Sequence, residues 1–302
     1  MASDTSHIIQ SLRANLLIAV SKGVAAFFTG SGAMLAETIH SAADCANQLL
    51  LLLGVNRAAQ PPDATHPLGY GRSLYFWSFM VAMLLFTGGG VFSIYEGVHK
   101  MTHPEPVENV LIGVGTLGFA LVIEGWATYS NIKTLNQRRG EVPFVRYLRQ
   151  TKDSDLIVVF GENAAATLGL ALALIALGLA EVTGDPHWDG AGSLAVGLVL
   201  VGVAVFLAVE VKSLLVGESA DQTIEADIRA LLKEESAVIG VGSVLTVQQG
   251  PGEVLVAMKL RFSADLSAAA VAATINGLET RVRARQPSVR WCFVEPGEGD
   301  ED

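Results

Sequence analysis

The sequence is poor in charged residues and in cysteine. Only 17% of its 302 residues are charged, whereas 51% are hydrophobic, and this balance argues against a soluble enzyme. Two cysteines, Cys45 and Cys292, are too few for a disulfide framework or a cysteine-rich zinc module. The net charge of −10 argues against the basic footprint of a nucleic-acid-binding protein and leaves cations as the natural partners.

Long apolar runs fill the first two-thirds of the chain. A helix that spans a bilayer takes about 20 mostly apolar residues, because its backbone polar groups must bond within the helix. Four such windows are residues 73–95, 109–132, 164–180 and 190–209. Residues 8–53 are too many for one crossing and contain a break, Thr29-Gly-Ser-Gly32, so they are interpreted as two helices. The sequence therefore predicts six transmembrane helices.

Lysine and arginine residues set the expected orientation. Six of them lie between the fourth and fifth spans, and none lies in residues 181–189, between the fifth and sixth. Because basic loops stay on the cytoplasmic side, we expect both termini there. The polar residues 1–13 lack the order of a cleavable signal. Because we expect an integral, multi-pass protein without a transit peptide, we predict that it lies in a bacterial inner (plasma) membrane.

After Gly217 the composition changes to that of a soluble domain. Residues 218–302 carry 14 acidic and 8 basic residues and no long apolar run. Their periodicity predicts, in order, a helix at 224–232, strands at 241–247 and 254–262, a helix at 268–283 and a strand at 289–295. A unit of about 85 residues has a small core, which pairing with a second copy would stabilise. We predict a transmembrane transport domain, residues 1–217, and a cytosolic α+β dimerisation domain, residues 218–302.

The second span carries four polar residues on one face. Glu37, His40, Asp44 and Asn47 are spaced by three, four and three residues, which aligns them along one stripe of a helix. Zn²⁺ binds imidazole nitrogen and carboxylate oxygen, and ligands at i and i+4 fill two of its four positions. Polar groups at membrane depth are costly and mark pathways. We interpret the stripe as a metal site; the alternative is hydrogen bonding between helices.

Several motifs give the sequence a family resemblance over nearly its whole length. They are Thr29-Gly-Ser-Gly32, Glu37-Thr-Ile-His40-Ser-Ala-Ala-Asp44, His66-Pro-Leu-Gly69-Tyr-Gly71-Arg72, Asp189-Gly-Ala-Gly-Ser193 and the α+β tail. In this order they resemble the cation diffusion facilitator family of divalent-metal/proton antiporters. Glu37-Thr-Ile-His-Ser and Glu162-Asn-Ala-Ala are most similar to its mitochondrial-type zinc transporter branch. The resemblance implies a ferredoxin-like, metallochaperone-like tail and a homodimer.

The resemblance also implies a second half of the metal site on the fifth span, where this sequence departs from the family pattern. The family has His-x-x-x-Asp there, whereas Asn163 and Val159 occupy the aligned positions. Glu162 is a carboxylate one residue earlier; the alternative for it is a helix-entry carboxylate at the interface. The expected metal ligands are His40, Asp44 and Glu162, completed by Asn163, Glu37 or water.

A weaker metal site is implied in the loop after the second span. The family binds metal there with Asp, His and a second His, and this sequence has Asp63 and His66 but Tyr70 in the last position. A phenol is a poor ligand at neutral pH, so a polar turn is the alternative.

For the other ionisable residues, the sequence predicts a role less definitely. Glu124, deep in the fourth span, is interpreted either as a proton carrier or as a partner for another polar group. Outside the membrane, the ionisable residues are interpreted as solvated loop residues, with Asp189 capping the sixth helix; the alternative is that they contact departing ions. These residues are His99, His103, Asp185, His187 and Asp189. The tail has no histidine, so we expect it to dimerise rather than to sense metal.

The function implied by the resemblance is secondary transport of Zn²⁺ out of the cytoplasm in exchange for protons. Because metal ligands must be deprotonated, protons and metal compete for the same groups. Zn²⁺ is then a transported substrate rather than a tightly bound cofactor, with Co²⁺, Cd²⁺, Mn²⁺ or Fe²⁺ as further candidates. No motif indicates an enzyme. The alternative is a transport-impaired regulatory or scaffold membrane protein.

Overall fold

The computed structural model describes residues 5–29, 32–104 and 110–297, with the backbone alone at residues 29, 32–37, 39 and 40. Contacts divide the chain into a helical unit, Ala2–Arg57 with Ser73–Lys212, and a C-terminal unit, Ala58–Arg72 with Ser213–Asp302. The predicted functional domains, 1–217 and 218–302, stay predictions, since this division rests on contacts alone.

The first two-thirds of the described chain is helical. Its helices are α1 (Ser6–Thr29), α2 (Gly32–Ala58), α3 (Ser73–Leu84), α4 (Phe92–Thr102), α5 (Val110–Arg139), α6 (Phe144–Gln150), α7 (Ser154–Thr183) and α8 (His187–Val216). A π-helical segment, Leu85–Val91, joins α3 to α4. The break predicted at Thr29-Gly-Ser-Gly32 falls between α1 and α2, but Gly30 and Ser31 lie outside the described residues, so the break stays a prediction.

Five helical segments among the described residues are long and apolar enough to cross a membrane. They are Ser6–Phe28, Ser73–Thr102, Val110–Arg139, Ser154–Thr183 and His187–Val216. The remaining predicted span, α2, has 27 residues and a length of about 40 Å. Its polar stripe lowers its hydropathy relative to the other five, so the crossing by α2 stays a prediction.

Glycines bring the third span and α8 into close contact. A Cβ added to Gly97 of α4 would lie 2.5 Å from the backbone nitrogen of Leu194. A Cβ added to Gly197 of α8 would lie 2.7 Å from the backbone nitrogen of Ile94. Small residues let helix backbones approach in this way within a membrane. The α4–α8 contact therefore has no room for a side chain at these positions.

The C-terminal unit folds in the predicted order. It contains α9 (Gln222–Lys233), β1 (Val238–Gly250), β2 (Glu253–Phe262), α10 (Ala268–Arg285) and β3 (Val289–Pro296). The strands form one sheet in the order β1-β2-β3, in which β1 and β2 are antiparallel and β2 and β3 are parallel. This is a small α+β unit; its ferredoxin-like assignment stays a prediction.

One face of the sheet forms the core of this unit. Val254, Val256, Met258 and Leu260 alternate along β2 and are buried in one apolar cluster with residues of both helices. The period-two pattern in the sequence predicted this arrangement. Gly252 lies in the turn between β1 and β2, directly after a proline, and has φ +68°. The third position of a type II turn requires such a positive φ.

Candidate metal centre

The predicted ligand stripe lies within one unbroken helix. Positions 37, 40, 44 and 47 all fall inside α2, so the helical spacing on which the prediction depends is present. The side chains of Glu37 and His40 lie outside the described residues, and their role as ligands stays a prediction. Asp44 is half-buried and Asn47 is buried. The described half of the stripe therefore faces the protein interior.

Glu162 of α7 is directed at this part of α2. Its Oε1 accepts a hydrogen bond from Asn47 Nδ2 at 3.0 Å, and its Oε2 accepts one from Gln48 Nε2. All three side chains are buried. A carboxylate oxygen accepts more than one hydrogen bond or metal bond, so both oxygens keep lone pairs. The structure thus brings Glu162 to the helix that carries the predicted ligands.

Asn163, the next residue of α7, is directed at a different helix. Its Oδ1 accepts a hydrogen bond from Ser11 Oγ of α1 at 2.9 Å, and its Nδ2 has no partner among the described residues. Adjacent helix positions point about 100° apart, which explains the difference. Asn163 was predicted as one of three alternatives that complete the site of Glu162, and the described contacts of Glu162 and Asn163 are made to α2 and α1, respectively; its role as a ligand stays a prediction.

Three carboxylates near the stripe lie within electrostatic reach of each other, and one lysine lies within reach of one of them. Glu162 interacts with Asp44 and with Glu124, and Glu124 interacts with Asp44 and with Lys22. Glu124 is buried in α5, and its Oε2 has no hydrogen-bond partner in the part of the chain that the structure describes. Buried like charges are costly unless a cation or protons neutralise them. The three carboxylates are therefore suited to binding either a cation or protons.

Polar bonds between helices hold α7 in position. On α1, His7 Nε2 lies 3.1 Å from Asp155 Oδ2 with both side chains buried. On α5, the hydroxyl oxygens of Thr128 and Thr167 lie 2.8 Å apart. Together with the bonds of Glu162 and Asn163, these contacts connect α7 to α1, α2 and α5. They fix the rotation of α7 that points Glu162 at α2.

The loop between α2 and α3 forms a turn around Asp63. Asp63 Oδ1 accepts hydrogen bonds from the backbone N–H of Thr65 and of His66, and Oδ2 accepts one from the Tyr70 hydroxyl at 2.7 Å. These donors hold the pKa of Asp63 well below its usual range. The His66 and Tyr70 rings lie 4.1 Å apart. These contacts are those of the polar-turn alternative; the Asp63–His66 metal site stays a prediction.

One participant in the centre, Gln48, carries only a weak signal in the sequence. Gln48 was not among the residues of the predicted stripe, yet its amide donates one of the two hydrogen bonds to Glu162. A pair of adjacent amides before an apolar run, Asn47-Gln48, is the only sequence signal for it. Among the residues whose side chains are described, no group of three or more His, Cys, Asp or Glu is placed to hold an ion.

These features define the class of the protein: an integral, multi-pass membrane protein with buried carboxylates among its helices, and with a separate small α+β unit. Residues 8–216 match the sequence model of the cation efflux transmembrane domain. The chain belongs to this cation efflux, or cation diffusion facilitator, family, which confirms the resemblance and indicates a transporter rather than an enzyme.

Curated relatives agree with the mitochondrial-type zinc branch. The chain is 34% identical over 242 residues to the proton-coupled zinc antiporter SLC30A9, mitochondrial, of Xenopus laevis, covering 79% of this chain and 42% of that protein. It is 33% identical over 247 residues to the Homo sapiens protein of the same name, covering 81% and 42%. It is 29% identical over 261 residues to metal tolerance protein C4 of Arabidopsis thaliana, covering 86% and 56%.

The coverage limits what these relatives imply. The chain spans about two-fifths of the length of the zinc antiporters that it matches. Their names place them in mitochondria, so they give no support to the expected bacterial inner membrane.

Proposed function

We propose that this chain is a secondary transporter that moves Zn²⁺, or a similar divalent transition metal, out of the cytoplasm in exchange for protons. The observation that carries the proposal is the buried carboxylate of Glu162 on α7, aimed at the polar stripe of α2 and within electrostatic reach of Asp44. The family membership supports metal transport. The names of the relatives support zinc and proton coupling.

The proposed ligands are His40, Asp44 and Glu162, with Asn163, Glu37 or water in the fourth position. One imidazole and two carboxylates suit Zn²⁺ or Co²⁺ and leave Cd²⁺, Mn²⁺ and Fe²⁺ as substrates of the same class. In this arrangement the amides of Asn47 and Gln48 orient Glu162 without neutralising it. Asn163 would have to release Ser11 to reach the ion, so water is the simpler fourth ligand.

Proton exchange follows from the chemistry of these ligands. Each ligand must lose its proton before it binds metal, so protons displace the ion where they are abundant. Glu124 adds a third carboxylate that contacts the same charges but is not needed for coordination. Alternating exposure of the site to the two sides would then couple metal export to proton entry.

The membrane arrangement completes the proposal. α2 would be the remaining one of six spans, because its polar face lies against α7 and its other face carries apolar residues. Both termini would face the cytoplasm, with residues 218–302 as a cytosolic domain that joins two copies into a homodimer.

Zinc flux into proteoliposomes under an imposed pH gradient tests the proposal. Glu162→Gln and His40→Ala are each expected to abolish flux, because each removes a ligand. Glu181→Gln is the matched control: Glu181 is an exposed carboxylate on the same helix, and flux should be unchanged. Full flux in the Glu162→Gln protein would contradict the proposed site.

Equilibrium zinc binding separates the transporter from the regulatory or scaffold alternative. A transporter is expected to bind Zn²⁺ with an affinity that depends on both Asp44 and Glu162. A chain that folds and forms dimers but binds no Zn²⁺ in the membrane domain would support the scaffold instead.

A further inference from the structure

Two histidines lie one turn apart at the C-terminal end of α4. The ring centroids of His99 and His103 are 4.9 Å apart, with an angle of 33° between the rings. Tyr95 stacks on the other side of His99, with its ring parallel to within 3°. Both imidazoles are exposed. The two imidazoles therefore lie next to each other on an exposed surface.

Hydrogen bonding restrains the His103 ring. The Thr102 hydroxyl lies 3.0 Å from the backbone carbonyl oxygens of Val98 and of His99. The same hydroxyl lies 3.0 Å from His103 Nδ1. This contact engages Nδ1 and leaves Nε2 as the ring nitrogen that can turn toward an ion. Metal-bound histidines are oriented by this kind of second hydrogen bond.

The surrounding charges favour a cation. Lys100 Nζ lies between two carboxylates, 2.9 Å from Glu96 Oε1 and 3.0 Å from Asp189 Oδ2, so its charge is more than balanced. The ion pair to Asp189 also fixes the end of α4 against the start of α8, so the histidine pair lies on a rigid base.

We propose that His99 and His103 form a bidentate site for a divalent transition metal ion such as Zn²⁺ or Cu²⁺, with water in the other positions. Two nitrogens bound to one tetrahedral zinc at about 2.0–2.1 Å lie about 3.4 Å apart. Small rotations about the side-chain bonds bring imidazoles with this centroid spacing to that distance. The site is separate from the carboxylates around α2 and does not depend on the proposed transport function.

Histidine modification tests the site residue by residue. The full-length protein in detergent is treated with diethyl pyrocarbonate, with and without Zn²⁺ alone, and the modified peptides are quantified by mass spectrometry. We expect Zn²⁺ to protect His99 and His103 together, and His103→Ala to remove the protection of His99. His187 is the internal control, since it is equally exposed but pairs with Asp185 instead of a second imidazole.

Three results would overturn the proposal. They are no protection by Zn²⁺, protection of His99 that survives in the His103→Ala protein, and equal protection of His187. A second measurement uses Cu²⁺ as a paramagnetic probe in the His40→Ala protein. Its electron paramagnetic resonance spectrum is expected to show coupling to two imidazole nitrogens, reduced to one by His103→Ala. Coupling that His103→Ala leaves unchanged would contradict the pair.

Discussion

Glu162 is held by two amide groups rather than by a basic residue. The hydrogen bonds from Asn47 and Gln48 are made to its two carboxyl oxygens, one to each. An arginine or lysine in their place would neutralise the carboxylate and compete with a metal ion. Amides orient Glu162 and leave its negative charge available, which is what a reversible cation site requires.

Replacing Gln48 is expected to weaken metal binding without removing a ligand. Gln48→Ala deletes one of the two hydrogen bonds that orient Glu162, and losses of this kind reduce metal affinity about 10–100-fold. Leu49→Ala is the matched control, because Leu49 is the next residue of α2 and is 55% exposed. Equilibrium titration with Zn²⁺ measures both. Equal affinities in the two variants would contradict the orienting role of Gln48.

The residues of the site differ in how far the sequence predicted them. Spacing along a helix identified Asp44, and the family resemblance pointed to Glu162, one residue before the aligned position of Asn163. Gln48 was not identified, because its contact depends on the rotation of α7 against α2, which no local pattern encodes. The separate contacts of Glu162 and Asn163 were missed for the same reason.

Cys292 is expected to be unreactive in the folded protein. Burial, reinforced by the negative charge of Glu279, raises its pKa from 9.0 to about 11. At neutral pH it therefore holds about 100-fold less of the reactive thiolate than an ordinary cysteine. In a Cys45→Ser background, where it is the single thiol, a maleimide should label it slowly in native protein. Rapid labelling before unfolding would contradict the buried position; denatured protein is the positive control.

At the scale of elements, the membrane helices form contacts of two chemical kinds. α7 is connected to α1, α2 and α5 by polar bonds, each of which contributes about 0.6 kcal/mol on average within a membrane. α4 and α8 are connected by backbone contacts at glycines, which exclude side chains. The polar contacts surround the proposed site, whereas the glycine contact forms the base of the histidine pair.

A methyl group placed in the glycine contact is expected to destabilise the helical unit. Gly197→Ala forces a Cβ to within 2.7 Å of backbone atoms of α4, and overpacking of this kind costs about 1–3 kcal/mol. Gly202→Ala, on the same helix with nothing within 4 Å of its Cβ, should be neutral or slightly stabilising. Thermal unfolding in detergent compares them. Equal Tm values in the two variants would show that the α4–α8 contact accommodates the methyl group without a loss of stability.

The elements were predicted best where one kind of periodicity dominates. Uniform apolar runs located four spans, and alternation along β2 located the strand and its buried face. The π-helical segment Leu85–Val91 was not predicted, because its three glycines indicate close packing equally well in a regular helix. α2 is the intermediate case: the same polar residues that mark it as functional lower its hydropathy.

At the scale of the whole molecule, the C-terminal unit leaves one sheet face open. Leu245, Ala257 and Phe293 form one row across the three strands, and Leu245 and Phe293 are 63% and 56% exposed. The opposite face is already buried by α9 and α10. An apolar row of this kind fits the proposed homodimer, in which a second copy would cover it.

A charge in this row is expected to separate the proposed dimer. Phe293→Glu adds a carboxylate that would be buried without a partner, so mass photometry of the full chain in detergent should show monomers. Ala272→Glu adds the same charge at an exposed position of α10 and should leave the dimer intact. A dimer that survives Phe293→Glu would contradict contact through this face.

Proton coupling is a property of the whole transport cycle, and Glu124 provides a way to count protons. Suppose that one metal ion exchanges for n protons while the membrane potential is clamped at zero. At steady state, the logarithm of the ratio of zinc concentrations on the two sides of the membrane then rises linearly with the pH difference, with slope n. Each proton then contributes about 1.4 kcal/mol per pH unit. Glu124 has a carboxylate oxygen without a hydrogen-bond partner among the described residues and is not needed as a ligand, so it is free to carry a proton.

Glu124→Gln is therefore expected to lower the slope by one while leaving zinc affinity nearly unchanged. Glu181→Gln, the exposed carboxylate of α7, should keep the slope of the parent protein. Zinc-sensitive and pH-sensitive dyes inside the same proteoliposomes give both quantities at once. An unchanged slope would assign all exchanged protons to the metal ligands themselves, whereas lost zinc binding would make Glu124 a ligand. Only a reduced slope with retained binding fits a separate proton carrier beside the metal site.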